Sequence, residues 1–190
     1  MPLGLREEKL VRLLVDGHRV VHRHNRPLAN AADVQPHQVH ATLVELQREE
    51  DQINALVTHV LTLLEAEGLP EGITLKADLG GDLPAVSVDG PRIQQVLFNL
   101  IRNANQAMPE GGTLTVSTRV LTPSWTGAYL EIAIQDSGTG ISKADLDKLF
   151  VPFFTTKSDG TGLGLSICQR IAEAHGGELE ARSKEGEGST

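Results

Sequence analysis

The sequence predicts an α+β fold, a two-layer α/β sandwich preceded by a helical hairpin. Three segments, 52–67, 91–108 and 162–175, carry apolar residues at helical spacing. The segments between them alternate apolar and polar residues with a period of two, as strands do, and glycine-rich turns separate them. Helices that bury one face against a mixed, mostly antiparallel sheet satisfy both patterns.

Composition narrows the classes of function. The chain has 190 residues and a formal net charge of −8, which argues against a nucleic-acid partner. Its single cysteine, Cys168, permits no internal disulfide and fits a reducing compartment. No run approaches the roughly 18 apolar residues of a membrane span, so we expect a cytoplasmic chain without a membrane segment.

Residues 1–51 are interpreted as a helical hairpin. Between residues 3 and 32, a seam of residues recurs at intervals of four and three: Leu10, Leu14, Gly17, Val21, His24, Leu28 and Ala31. A second helix is expected to begin near Pro36, since proline is tolerated in a first helical turn. A hairpin this short buries little apolar surface alone, so we expect it to form a homodimer with a second copy.

Residues 52–190 form the second predicted unit. A helix over 52–67 precedes strands near residues 72–77 and at Val86–Val88, and Asp89 is a good cap for the next helix. On that helix Asn99 and Asn103 are four residues apart and share a polar face. A hairpin of strands, 113–121 and 129–135, then leads to Asp136 at a strand end.

Two glycine clusters follow Asp136. Gly138 and Gly140 come directly after it, and Gly160, Gly162 and Gly164 open the last predicted helix. Glycines let a ligand approach the backbone closely, and amides at a helix N-terminus favour phosphate. Between the clusters, Ser142 can cap a short helix, and residues 151–161 are interpreted as a mobile lid with Lys157 able to reach phosphate oxygens.

Four stretches in this order, NLIRNANQA, DSGTG, FVPFFTTK and GTGLGL, resemble the N, G1, F and G2 boxes of sensor histidine kinases. The resemblance covers residues 52–190, and this part of the chain looks closest to the nitrogen-regulator type of sensor kinase. It implies the Bergerat ATP-binding fold shared with DNA gyrase, and ATP and Mg²⁺ as cofactors. It also implies a final strand after Gly188. We expect that strand to be missing, or the sheet to be completed by something else.

The resemblance assigns roles to residues. Asn103 would hold Mg²⁺ through its carbonyl oxygen, Asn99 would support the metal or phosphate site, and Asp136 would select adenine. The remaining nucleotide-binding residues implied by the boxes are Gly138, Gly140, Lys157, Gly160, Thr161, Gly162, Leu163, Gly164 and Leu165.

His22, in HRHNRPL, resembles the phosphoacceptor histidine of the same family. It would take the γ-phosphate and pass it to an aspartate of a response-regulator receiver domain. Two alternatives stay open. Arg23, where the family usually has a carboxylate, favours an ATP-binding module with an inert hairpin. An ATPase of the gyrase kind is the second, although Asn99 stands where such enzymes carry a glutamate.

Overall fold

The computed structural model describes residues 10–15, 52–121, 128–157 and 160–190, with the backbone alone described at 10–15. The helices are α1 (Gln52–Glu67), α2 (Gly90–Gln106), α3 (Lys143–Leu146) and α4 (Gly164–Ala174). The strands are β1 (Leu10–Val15), β2 (Ile73–Leu79), β3 (Gly112–Leu121), β4 (Ala128–Asp136), β5 (Glu178–Glu180), β6 (Ser183–Lys184) and β7 (Gly188–Ser189).

The strands form one mixed sheet in the order β2-β3-β4-β1-β5, with β7 also paired to β4. The β2–β3 pair is parallel and the other pairs are antiparallel, as predicted. The β3–β4 hairpin is confirmed, and its register sets Asp136 opposite Leu114 at the end of β4. The site therefore lies where β4 leaves the sheet.

Helices α1, α2 and α4 share one aliphatic core with the sheet. Each contributes residues from one face, as their spacing predicted, and the sheet contributes alternate residues of β3 and β4. The fully buried members include Val57, Val60, Ile93, Leu97, Ile101, Leu114, Leu130 and Ile132. This is the predicted two-layer α/β sandwich, an α+β fold.

The predicted helix caps are confirmed. The Asp89 carboxylate accepts a hydrogen bond from Arg92 N at 3.1 Å, and the Ser142 hydroxyl accepts one from Asp145 N at 3.2 Å. His175 ends α4, and its ring joins two helices: Nδ1 lies 2.7 Å from Ile171 O, while Nε2 accepts from Asp89 N at 2.9 Å. His175 is therefore a structural residue between α4 and the start of α2.

The prediction of a helix across residues 10–15 is wrong. Leu10–Val15 is a strand, antiparallel to β4 on one side and to β5 on the other. A run such as LVRLLV fits either period over so short a length. The hydrogen-bonding edge of β4 favours the strand over the helix, because an extended segment at this edge pairs its backbone groups with β4 on one side and with β5 on the other. The rest of the predicted hairpin, residues 1–9 and 16–51, lies outside the described residues.

The register of β1 places position 12 between acidic positions of the two neighbouring strands. Glu131 on β4 has no exposed surface, and its carboxylate pairs with Arg119 on β3. Arg12 is the register partner of Glu131 on one side and of Glu178 on the other. A buried carboxylate is costly unless it is paired, so the contact with Arg119 stabilises Glu131.

β7 and β1 follow each other along the same side of β4. Ser189 is opposite Asp136, and β1 pairs from Ala133 to Ala128. β1 therefore pairs with the part of β4 that β7 leaves unpaired on this side.

The predicted strand at Val86–Val88 is wrong. This segment has no regular structure and carries the chain from β2 to the cap of α2, with Leu83 buried in the core. Pro84, two residues before this segment, lacks the N–H that a sheet ladder needs, and a segment of three residues is too short to offset that loss.

Among the described helices, none is long and apolar enough to cross a membrane.

Candidate functional site

A cavity of about 330 Å³ opens beside the C-terminal half of α2. The loop after β4 and the segment before α4 form its other walls. Its lining residues are Asn103, Gln106, Ala107, Thr139, Gly140, Ile141, Asp145, Leu149, Phe154, Thr155, Thr156, Lys157, Gly162, Gly164, Leu165 and Ser189.

Asp136 lies at the end of β4 behind this cavity, with 3% of its surface exposed. Its Oδ1 accepts hydrogen bonds from Gly138 N at 3.0 Å and from Ser189 N at 3.2 Å. These two amides fix the orientation of the carboxylate, and Ser189 itself lines the cavity. An anchored acceptor of this kind suits an exocyclic amine.

The loop after Asp136 is packed too closely for side chains. Gly140 has φ +68°, and a Cβ there would lie 2.1 Å from Lys184 O. The same loop is bonded to the C-terminal hairpin through Ile141 N, which donates to Ser183 Oγ at 2.8 Å. Glycine at 140 therefore lets the loop follow the hairpin and form one wall of the cavity.

The second glycine cluster leads into α4. Gly162 has φ +66°, and a Cβ there would lie 2.3 Å from the Phe153 carbonyl carbon. Phe153 N donates to Gly162 O at 2.9 Å, which ties the two ends of the intervening segment together. Gly164 and Leu165 begin α4 at the cavity, so the positive end of the helix dipole faces it.

Lys157 reaches across the cavity to α2. Its Nζ donates to Asn103 Oδ1 at 3.4 Å and to Gln106 Oε1 at 2.5 Å. Its backbone N donates to Thr155 Oγ1 at 3.1 Å, which shapes the turn that carries it. Partial burial lowers the pKa of Lys157, the nearby Arg102 lowers it further, and Asp136 opposes both.

The structure brings most of the predicted site residues together. Asn103, Gly140, Lys157, Gly162, Gly164 and Leu165 line the cavity, and Asp136 lies directly behind it. Gly138, Gly160, Thr161 and Leu163 are adjacent in the chain but outside the lining. His22 lies outside the described residues.

Asn99 is placed differently from Asn103. It lines a separate groove of about 550 Å³ between α1 and α2, together with Leu64, Phe98 and Arg102. It also faces the first turns of α4, since a Cβ on Gly164 would lie 3.9 Å from its Oδ1. The helical face that Asn99 and Asn103 share is thus divided between two depressions.

Sequence reasoning missed several lining residues, of which Gln106 and Ser189 make the most specific contacts. Gln106 lies three residues after Asn103, so its helical spacing already indicated the same side of α2. Ser189 is brought beside Asp136 by the β4–β7 pairing, which no local sequence pattern predicts.

The donor set fits a hard cation held jointly with phosphate. Asn103 and Gln106 already hold the Lys157 ammonium through side-chain carbonyl oxygens. Within the described part of the chain, no cluster of three His, Cys, Asp or Glu side chains could hold a metal ion. Mg²⁺ commonly uses one or two protein oxygens together with substrate phosphates, which matches a site built on Asn103.

Comparison with known proteins gives a consistent set of similarities. A family model described as "Histidine kinase-, DNA gyrase B-, and HSP90-like ATPase" matches residues 88–190. Sensor histidine kinase ZraS of Escherichia coli K12 is 41% identical over 138 residues, which are 73% of this chain and 29% of that protein. The chain therefore spans less than a third of the length of this relative.

Two solved structures extend the similarity to the fold. The nucleotide-free catalytic domain of histidine kinase ThkA is 33% identical, with a TM-score of 0.62 over 73% of this chain and 88% of that one. Full-length ShkA in complex with AMPPNP is 26% identical, with a TM-score of 0.62 over 72% of this chain and 28% of that one.

Proposed function

Because this chain belongs to the sensor histidine kinases, within the histidine kinase-, DNA gyrase B- and HSP90-like ATPase family, we propose that it binds Mg-ATP in the cavity beside α2 and supplies the γ-phosphate to a histidine. One observation carries the proposal. The cavity joins the Asn103 oxygen, the Lys157 ammonium and the N-terminus of α4, and Asp136 lies behind it. Each of these groups suits a different part of a nucleotide.

The base would be recognised at Asp136. Two backbone amides hold its Oδ1, so the carboxylate is oriented before a ligand arrives. A carboxylate accepts from the exocyclic amine of adenine and has no donor for the carbonyl that guanine carries at the same position. This contact would select ATP over GTP.

The phosphates would lie between α4 and α2. Amides at the start of α4 and the Lys157 ammonium would neutralise charge on the phosphate oxygens, and Asn103 Oδ1 would hold Mg²⁺. Bound Mg²⁺ supplies further neutralisation of the triphosphate charge. In phosphoryl transfer the protein mainly positions groups and stabilises charge, which is what these residues can do.

The phosphate acceptor in this proposal is His22, on the same or a partner subunit of a homodimer formed through the rest of residues 1–51, since Leu10–Val15 is paired within the sheet. A neutral imidazole nitrogen is a competent nucleophile for phosphorus. The phosphohistidine would then pass its phosphate to an aspartate of a response-regulator receiver domain. Full-length ShkA was solved in complex with AMPPNP, an ATP analogue, which supports the nucleotide part of this proposal.

The test is incubation with γ-labelled ATP and Mg²⁺ for the wild type and His22→Ala, with acid and base treatment of the product. We expect an acid-labile, base-stable label that is absent from His22→Ala and present in the control His59→Ala. His59 is an exposed histidine on α1, outside the cavity. ATP binding without label would contradict the kinase proposal and favour a nucleotide-binding module with an inert hairpin.

The same samples test the second candidate, a gyrase-like ATPase. Such an enzyme needs a carboxylate to activate water where this chain has Asn99, which lies in the neighbouring groove. We expect negligible steady release of inorganic phosphate. Continuous release with no protein label would favour the ATPase.

A further inference from the structure

Lys157 and Gln106 form a contact that the proposed function does not use. The Lys157 ammonium is held by two carbonyl oxygens one helical turn apart on α2, those of Asn103 and Gln106. Neutral oxygens of this kind are also the ligands that hard cations prefer. The ammonium thus occupies the oxygen to which the metal is assigned.

We propose that Gln106 is a positioning residue that retains Lys157 on α2, so that Mg-nucleotide must displace the lysine from Asn103 in order to bind. The inference rests on the proposed nucleotide site and adds a competition within it. The Lys157 ammonium and the Mg²⁺ that arrives with the nucleotide compete for one oxygen, Asn103 Oδ1. Gln106 determines how strongly the lysine is held.

The geometry supports an exchange rather than a fixed ion site. Lys157 and Gln106 are both exposed, so the ammonium can leave without opening the core. The turn made by Thr155 Oγ1 and Lys157 N keeps the lysine at the cavity, where phosphate oxygens would receive it. Released from Gln106, the same side chain therefore stays within reach of the phosphates.

A contact present only in the free state lowers ligand affinity by its own free energy. Removing the Gln106 amide should therefore tighten Mg-ADP binding. A hydrogen bond to a charged group at an exposed position corresponds to a change of about three- to tenfold in the dissociation constant.

The test is a double-mutant cycle on the full chain, with Mg-ADP binding measured by titration calorimetry for the wild type, Gln106→Ala, Lys157→Met and the double variant. We expect Gln106→Ala to tighten binding about three- to tenfold when Lys157 is present and to have no effect in the Lys157→Met background. Gln95→Ala is the matched control, an exposed glutamine on the same helix outside the cavity. Weaker binding in Gln106→Ala, or equal effects in both backgrounds, would overturn the proposal.

A second measurement needs no nucleotide. Trypsin must take the Lys157 side chain into its own pocket, so cleavage after Lys157 requires release from Gln106. We expect Gln106→Ala to be cleaved there at least about threefold faster than the wild type, with cleavage after the exposed Lys148 unchanged. An unchanged rate at Lys157 would refute the retention. If no variant binds Mg-ADP yet the cleavage rates differ as expected, the proposed function fails and the contact stands.

Discussion

Asp136 shows how much of the site depends on the orientation of one side chain. Its carboxylate is nearly buried, and its Oδ1 is held by amides from two segments, residue 138 and residue 189. Position 136 was predictable because a carboxylate followed a strand and preceded two glycines. The Ser189 contact was not, since it joins residues 53 positions apart through a sheet pairing.

Asp136→Asn should abolish adenine recognition while keeping the fold. The asparagine oxygen can still accept from Gly138 N and Ser189 N, but an amide NH2 replaces the other oxygen, and this donor would face the exocyclic amine of adenine, which is also a donor. We expect ATP affinity to fall at least about tenfold, the size of a lost hydrogen bond to a charged group.

Calorimetric titration with ATP, beside a thermal melt, checks this prediction. Asp78→Asn is the control, because Asp78 is exposed on β2 at the far edge of the sheet. Retained affinity in Asp136→Asn would mean that another group selects the base.

At the scale of elements, α2 explains why two asparagines four residues apart do not both line one site. Asn99 and Asn103 were predicted together from their spacing, yet Asn103 faces the cavity and Asn99 faces the groove beside α1. The spacing fixes a common face, but the width of a depression is set by α1 and α4, which pack against that face. Gln106 lines both depressions.

The contact of α4 with α2 leads to a prediction for Cys168. Its thiol has no exposed surface and lies 4.0 Å from Val96 O. Burial raises the pKa of Cys168 to about 11, from an ordinary value of 9.0. The unfolded chain therefore loses this proton at a lower pH than the native protein does, so stability falls as the pH rises from 9 towards 11.

The expected loss is about 2 kcal/mol of unfolding free energy between pH 9 and pH 11, from a shift of about two pKa units. Urea denaturation of the wild type and Cys168→Ala at pH 7, 9 and 11 measures it. Cys168→Ala should be less stable at pH 7, because it leaves a small void, but should lose less stability at high pH. Parallel pH profiles for the two proteins would show that the thiol does not titrate in this way.

At the scale of the whole molecule, local patterns predicted the layers but not the membership of the sheet. The β3–β4 hairpin and the three long helices followed from periodicity because each is long enough to show one period clearly. The six residues of β1 are too few for that, and their partners lie more than a hundred residues away in the chain. Only the open side of β4, a property of the folded sheet, identifies them as a strand.

Proline substitutions within β1 test whether this strand belongs to the sheet. Val11 is paired on both sides, with Ile132 on β4 and Leu179 on β5, whereas Val15 at the strand end is paired with Ala128 of β4. Proline lacks an N–H and is tolerated only at strand ends and edges. We expect Val11→Pro to lower the unfolding free energy by at least about 2 kcal/mol and Val15→Pro by less than about 1 kcal/mol.

Urea denaturation of both variants beside the wild type measures the difference. A helix over these residues would be broken by proline at either position, so it predicts similar losses for the two variants. The ratio of the two losses therefore distinguishes a strand from a helix, even though both substitutions fall in the same six residues. Equal losses would restore the helical interpretation and leave the hydrogen-bonding side of β4 to another segment.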